Sequence, residues 1–175
     1  MLVSPVTGGL LGYGIVAGGF VAPGAAAVQL FEQALAAKLA SIPELTAIVG
    51  SAIYTQGLPQ THNLSANGPA LSYTIPTKPR NHVLTGPDGT ATARVQLDAW
   101  ALADYGAAKT IVEVIWNAID GPPGVWGNGT CTIVNVTHQD DIDASERPQA
   151  GSDKWLNHVI QEYSVMYRVN IPVTI

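Results

Sequence analysis

The sequence predicts an α+β domain: an antiparallel sheet of about four strands with two main helices on one face, preceded by an extended N-terminal arm. Three observations carry this expectation. Residues Thr90 to Trp100 alternate strictly, with Ala91, Ala93, Val95, Leu97 and Ala99 on one face and Thr92, Arg94, Gln96, Asp98 and Trp100 on the other, the period of a half-buried strand. From Asp104 the apolar positions become Ala108, Ile111, Val112, Ile115, Ala118 and Ile119, the three-and-four spacing of one helical face. Residues Trp155 to Val169 alternate again, with Val159, Tyr163, Val165, Tyr167 and Val169 facing one way and Glu162, Ser164 and Arg168 the other, and are expected to form the longest strand.

Taken in order, residues 1–24 read as a glycine-rich apolar arm, residues 25–169 as the domain and residues 170–175 as a C-terminal tail. No charged side chain precedes Glu32, and Leu10 to Val28 is long enough to span a bilayer. Gly12, Gly14, Gly18, Gly19, Pro23 and Gly24 make it a poor helix, and basic flanks are missing, so neither a membrane span nor a signal peptide is expected. Leu10, Leu11, Tyr13, Ile15, Val16, Phe20 and Val21 are instead read as anchors for neighbouring subunits, with the glycines permitting close backbone approach.

Ala25 to Ala40 has helical spacing, with Val28, Phe31, Leu35 and Leu39 on one face. Ser41 and Glu44 resemble a capping box, and Leu45, Ile48 and Val49 form a short helical turn stopped by Gly50. Ala52 to Tyr54 is a brief extended piece, and Gln56 to Gly68, rich in Gly, Pro and Asn, is a loop. Ala70 to Ile75 is a strand between prolines; His82 to Leu84 resumes it, and Gly86 to Gly89 is expected to turn the chain into the strand at Thr90. Asp104 caps the central helix, and Asp120, Gly121 and the prolines after them end it. Gly121 to Gly129 reads as a loop, Thr130 to Val136 as a strand, and Asp140 to Asp153 as a polar acidic loop.

With 175 residues, 47% of them hydrophobic and 12% charged, the chain has ample material for a single core. A net charge of -5 and only eight Lys and Arg argue against broad nucleic-acid affinity, which rests on neutralising many phosphates. The single cysteine, Cys131, excludes an internal disulfide framework and reads as a small core residue.

Chemistry is sparse. His62, His82, His138 and His158 fall in no metal-ligand spacing. The densest ionisable cluster is His138, Asp140, Asp141, Asp143 and Glu146, but it lacks the glycine and terminal Glu of a calcium loop, so it reads as a solvated or channel-facing acidic loop. There is no Gly-x-Ser-x-Gly and no phosphate-binding Gly-Lys-Ser/Thr loop, so no catalytic residue, cofactor or metal is assigned. Asn63, Asn128 and Asn135 each begin an Asn-x-Ser/Thr triplet, read as chance occurrences. Among Trp100, Trp116, Trp126 and Trp155, only Trp100 and Trp126 are expected to have a fair chance of exposure.

Several phrases of this chain resemble the tail completion proteins, also called tail terminators or head-tail joining proteins, of long-tailed phages and phage-like gene transfer agents. They are Ala34 to Leu39, Pro43 to Gly50 leading to Ile53-Tyr54, Pro69 to Thr74, Arg94 to Trp100, the helix Tyr105 to Ile119, and Val165 to Arg168. The resemblance covers roughly Phe31 to Arg168, and the uncharged arm and the long Gln56 to Gly68 loop depart from its pattern. It implies a structural virion protein, made in the bacterial host cytoplasm and placed at the head-proximal end of the tail. There it forms a homo-oligomeric ring, typically a hexamer, which ends the tail tube and joins it to the head connector or stopper. DNA passes through without specific binding, and no catalytic residues carry over. Asp140, Asp141, Asp143 and Glu146 are the expected channel-facing group. The alternatives are a tail tube or neck subunit of the same particle, a glycan- or cation-binding module, and a small hydrolase using His138 with Asp140 or Asp141.

Overall fold

A computed structural model describes residues 30–121, 123–146 and 153–169. The expected arm, including Leu10, Leu11, Tyr13, Ile15, Val16, Phe20 and Val21, and the tail after Val169 lie outside the described residues.

The α+β class holds, but the sheet is larger than four strands and not purely antiparallel. Among the described residues its seven strands are β1 (Ile53–Thr55), β2 (Ala70–Thr77), β3 (Arg80–Val83), β4 (Gly86–Leu102), β5 (Gly124–Trp126), β6 (Cys131–Asp143) and β7 (Leu156–Arg168). Their order is β1-β2-β4-β7-β6-β5, with β3 paired to β4 off that path. β1 runs parallel to β2, which the Gln56 to Gly68 connection allows because parallel neighbours need a crossover of about a dozen residues. All other pairings are antiparallel.

Among the described residues four helices accompany the sheet: α1 (Phe31–Ala40), α2 (Pro43–Val49), the one-turn α3 (Leu64–Asn67) and α4 (Tyr105–Ile119). α1 buries Phe31, Ala34, Leu35 and Leu39, close to the expected face. The capping box at Ser41 does not form: Ser41 closes α1, while α2 starts from Ile42 with Pro43 in its first turn, where a missing N–H costs nothing. Asp104 caps α4 as expected, its Oδ1 accepting from the Ala107 N–H at 3.1 Å. Gly121, at φ 140°, adopts a conformation open to glycine just past the helix end.

The alternating strands divide the sheet into two faces. In register, Ala93 meets Val165, Val95 meets Tyr163 and Ala99 meets Val159, and all six are buried beneath the helices together with Leu35, Leu45, Ile111 and Ile115. Cys131 joins this core, and burial pushes its thiol up from the ordinary value. Phe31 stacks on Tyr167 with centroids 4.4 Å apart and on Trp126 at 6.4 Å, tying α1 to the opposite end of the sheet from α4's first turn.

Three local expectations give way to pairing. The hairpin turn is Leu84-Thr85, because Gly86 and Pro87 already pair with Val83 and His82. Asp88 and Gly89 form a bulge instead: Gly89 has φ 79°, and Asp88 Oδ1 accepts from the Thr90 N–H and hydroxyl, both at 2.8 Å. Residues 140–143 belong to β6 and not to a loop, since Asp140 to Asp143 continue to pair with Glu162 to Val159. β4, with 17 residues, is longer than β7 with 13, because the hairpin extends it past the end of its β7 partner.

Candidate assembly surfaces

The acidic group sits on both faces of the far end of β6. Asp141 and Asp143 pair with Gln161 and Val159, which places them on the helix side, whereas Asp140 stands opposite Glu162 on the other face. Asp143 is held by α4: its carboxylate accepts from the Tyr105 hydroxyl at 2.9 Å and lies 3.0 Å from Lys109 Nζ. The Lys109 hydrogen bond is the main reason the Asp143 carboxyl sits below its usual range. Asp141 Oδ1 is 3.0 Å from His138 Nε2, and the His138 ring meets Tyr163 edge-on at 5.3 Å. Burial, followed by the nearby charges of Asp141, Asp120 and Glu113, pushes the Tyr163 phenol up. Glu146 is bridged through its backbone to Leu156.

Asp140, Asp141, Asp143 and Glu146 are therefore close along the strand and all exposed, but they do not converge on one point. Among the described residues, no three of His, Cys, Asp and Glu are grouped so as to hold a metal ion. Sequence spacing joined His138 to either Asp140 or Asp141; the structure brings only Asp141 to the ring.

The tryptophans are distributed contrary to expectation. Trp126 is only 7% exposed, filling the corner beside Phe31, while Trp116 and Trp155 are 45% and 49% exposed. Trp116 lies on the outer side of α4, its Nε1 donating to Asp120 Oδ2 at 2.8 Å. The second large exposed apolar group is the β3–β4 hairpin, where Val83 is more than half exposed and Leu84 wholly so.

The helix-free face carries a polar cluster that strand periodicity did not assemble. His158 Nε2 and Asp98 Oδ1 are 3.0 Å apart and both groups are buried, Gln96 Nε2 donates to the same Asp98 oxygen at 3.0 Å, and Trp100 Nε1 donates to Ser72 Oγ at 2.9 Å. Further along, Arg94 pairs with Glu162. Alternation places Asp98 and Trp100 on one face; the signal for His158 is its in-register position opposite Trp100, which only strand pairing supplies.

The three Asn-x-Ser/Thr triplets have local roles. Asn63 Oδ1 accepts from Ser65 N–H at the start of α3, Asn128 Oδ1 accepts from Thr130, and Asn135 Nδ2 donates to Thr137 Oγ1. No helix among the described residues is long and apolar enough to cross a membrane.

A groove opens where the described chain begins and ends. It is lined by Leu30, Phe31, Lys78, Tyr167, Arg168 and Val169, among others, and Lys78 pairs with Glu32 across it. Leu30 and Val169, the first and last described residues, both line it.

Comparison with known proteins adds a family. The family described as tail completion protein gp17 matches residues 33–168, from α1 to the last residue of β7. No curated protein matches by sequence. Among solved structures, a chain from the virion of a native gene transfer agent particle superposes with a TM-score of 0.60 at 17% identity, covering 82% of this chain and 99% of that one, a likeness of fold.

Proposed function

Because the chain belongs to the tail completion protein gp17 family, we propose that it works as a closed homo-oligomeric ring, six-fold in symmetry, ending the tail tube and joining it to the head connector. It is a structural tail completion protein of a phage-type virion. The observation that carries the ring reading is the extent of the family match, which takes in every helix and strand of the described fold. The role is structural and not catalytic, with the tail tube protein, the connector or stopper protein and further copies of this chain as partners.

Two parts of the chain receive roles in that ring. Residues 1–24 are an assembly arm, with Leu10, Leu11, Tyr13, Ile15, Val16, Phe20 and Val21 as anchors on neighbouring subunits; their support is composition. Asp140, Asp141, Asp143 and Glu146 rim the channel, where their charge keeps the phosphate backbone of passing DNA from adhering. That repulsion reaches about one Debye length, roughly 8 Å at physiological salt.

Mass measurement in solution, with and without EDTA, tests the ring. Six times the chain mass in both conditions is the expected result, and a monomer in solution together with a monomeric copy number in particles overturns it. A tail tube or neck subunit of the same particle would instead appear in many rings along the tail in particle images.

A further inference from the structure

We propose that the β3–β4 hairpin of one copy docks on the far end of the sheet of the next copy, at a ledge formed where β4 passes into α4 and β7 begins. This deepens the ring reading and rests on it, since it names the two surfaces through which identical subunits would meet.

The hairpin overhangs its own sheet. The final rung shared with the β7 strand is the Val169 N–H to Gly89 carbonyl bond at 2.9 Å, and the pairs His82 with Pro87 and Val83 with Gly86 lie beyond it. At the tip, the two-residue turn begins with Leu84, which is wholly exposed, next to Val83 at 55%. Two-residue hairpin turns favour Asn, Asp and Gly, so folding does not call for an apolar side chain at this point. Val83 and Leu84 side by side at a projecting tip offer apolar surface that a contact with another molecule would remove from water.

The ledge lies at the other end of β4. There the Ala103 N–H donates to the Trp155 carbonyl at 2.8 Å and the Glu146 N–H to the Leu156 carbonyl at 2.8 Å, which gathers Asp104, Tyr105, Glu146 and Trp155. Tyr105 and Trp155 are each nearly half exposed, and Asp104 and Glu146 are exposed as well. Hairpin and ledge are separated by the length of a 17-residue strand, on the order of 50 Å, so they do not meet within one molecule. Between molecules they meet head to tail, the heterologous geometry that closes into a ring.

Charge favours this pairing over its alternatives. Arg80 on the hairpin enters no ion pair among the described residues, and neither do Asp104 and Glu146 on the ledge. Ledge against ledge would bring the exposed Asp104 and Glu146 of two copies together and repel, so head-to-tail contact is favoured over a two-fold dimer through the ledge.

The test uses two full-length variants, Leu84→Asp in the hairpin and Trp155→Asp in the ledge, with Leu84→Ser and Trp155→Gln as gentler versions and melting curves to confirm folding. Each variant alone should run as a monomer in sedimentation under conditions where the unmodified chain assembles. Mixed in equal amounts they should form a one-to-one dimer and nothing larger, because each retains one intact surface. Variants that still build the unmodified oligomer overturn the docking while leaving the ring intact, even if they then fail to bind tail tubes. An unmodified chain that is monomeric both in solution and in particles overturns the ring reading and the docking together.

Discussion

The indole of Trp100 lies flat on the imidazole of His158, with ring centroids 3.7 Å apart and planes 11° from parallel. The stack joins two neighbouring strands on the helix-free face and shields the contact between His158 and Asp98. Removing one member of a buried polar pair leaves the other without compensation, a larger loss than the pair's net worth. Asp98→Ala is therefore expected to cost about 2–4 kcal/mol in urea denaturation, and a loss below about 1 kcal/mol would show the cluster to be solvated.

Asp104 supplies the cap of α4 at the point where β4 ends. Asp104→Ala should destabilise by about 1 kcal/mol, and Asp104→Asn or Asp104→Ser by much less, since both keep an oxygen that can accept from Ala107. Thermal melts of the three variants separate a cap from a generic charge effect, which would make Asn and Ala equally harmful.

Asp143 sets an acid dependence. Lys109 and Tyr105 hold its folded carboxyl below the unfolded value of about 3.9, so the stability it contributes is present above that value and is lost as pH falls through the lower folded one. For so exposed a pair the contribution is roughly 0.2–1 kcal/mol. Asp143→Asn should be less stable than the unmodified chain at pH 7 and equal to it near pH 2. An undiminished difference at pH 2 would assign the effect to something other than this ionisation.

Deleting residues 1–24 should leave a soluble domain that melts cooperatively but fails to join heads to tails. The described core runs from Phe31 to Tyr167. Aggregation of the truncated chain, or loss of its melting transition, would place the arm within the core.

Replacing Asp140 and Asp141 with Lys is expected to leave assembly intact and slow DNA ejection, more at low salt than at high salt, because screening weakens the new attraction to phosphate. Asp143 is left unchanged in this variant, since its pairing with Lys109 would confound the comparison. Ejection at the unmodified rate would remove these carboxylates from the channel.

Periodicity alone determined the core of this protein. Ala91 to Ala99, Ile111 to Ile119 and Val159 to Tyr167 were legible because burial of one face imposes a two-residue or a 3.6-residue period on any strand or helix, whatever its neighbours. Caps and stops such as Asp104 and Gly121 were legible for the same local reason. Pairing decided the rest. Residues 140–143 are too acidic to announce a strand and become one because Glu162 to Val159 offer backbone partners; the hairpin turn moved to Leu84-Thr85 because Gly86 and Pro87 found partners first. β5 is three residues within a Gly- and Pro-rich stretch, too short to display a period. The candidate surfaces divide likewise: the acidic residues were visible as composition, but their distribution over two faces was not. The juxtaposition of Asp98, Trp100 and His158, and the separation of hairpin from ledge, depend on the register of β4 against β7, a relation between residues some sixty positions apart.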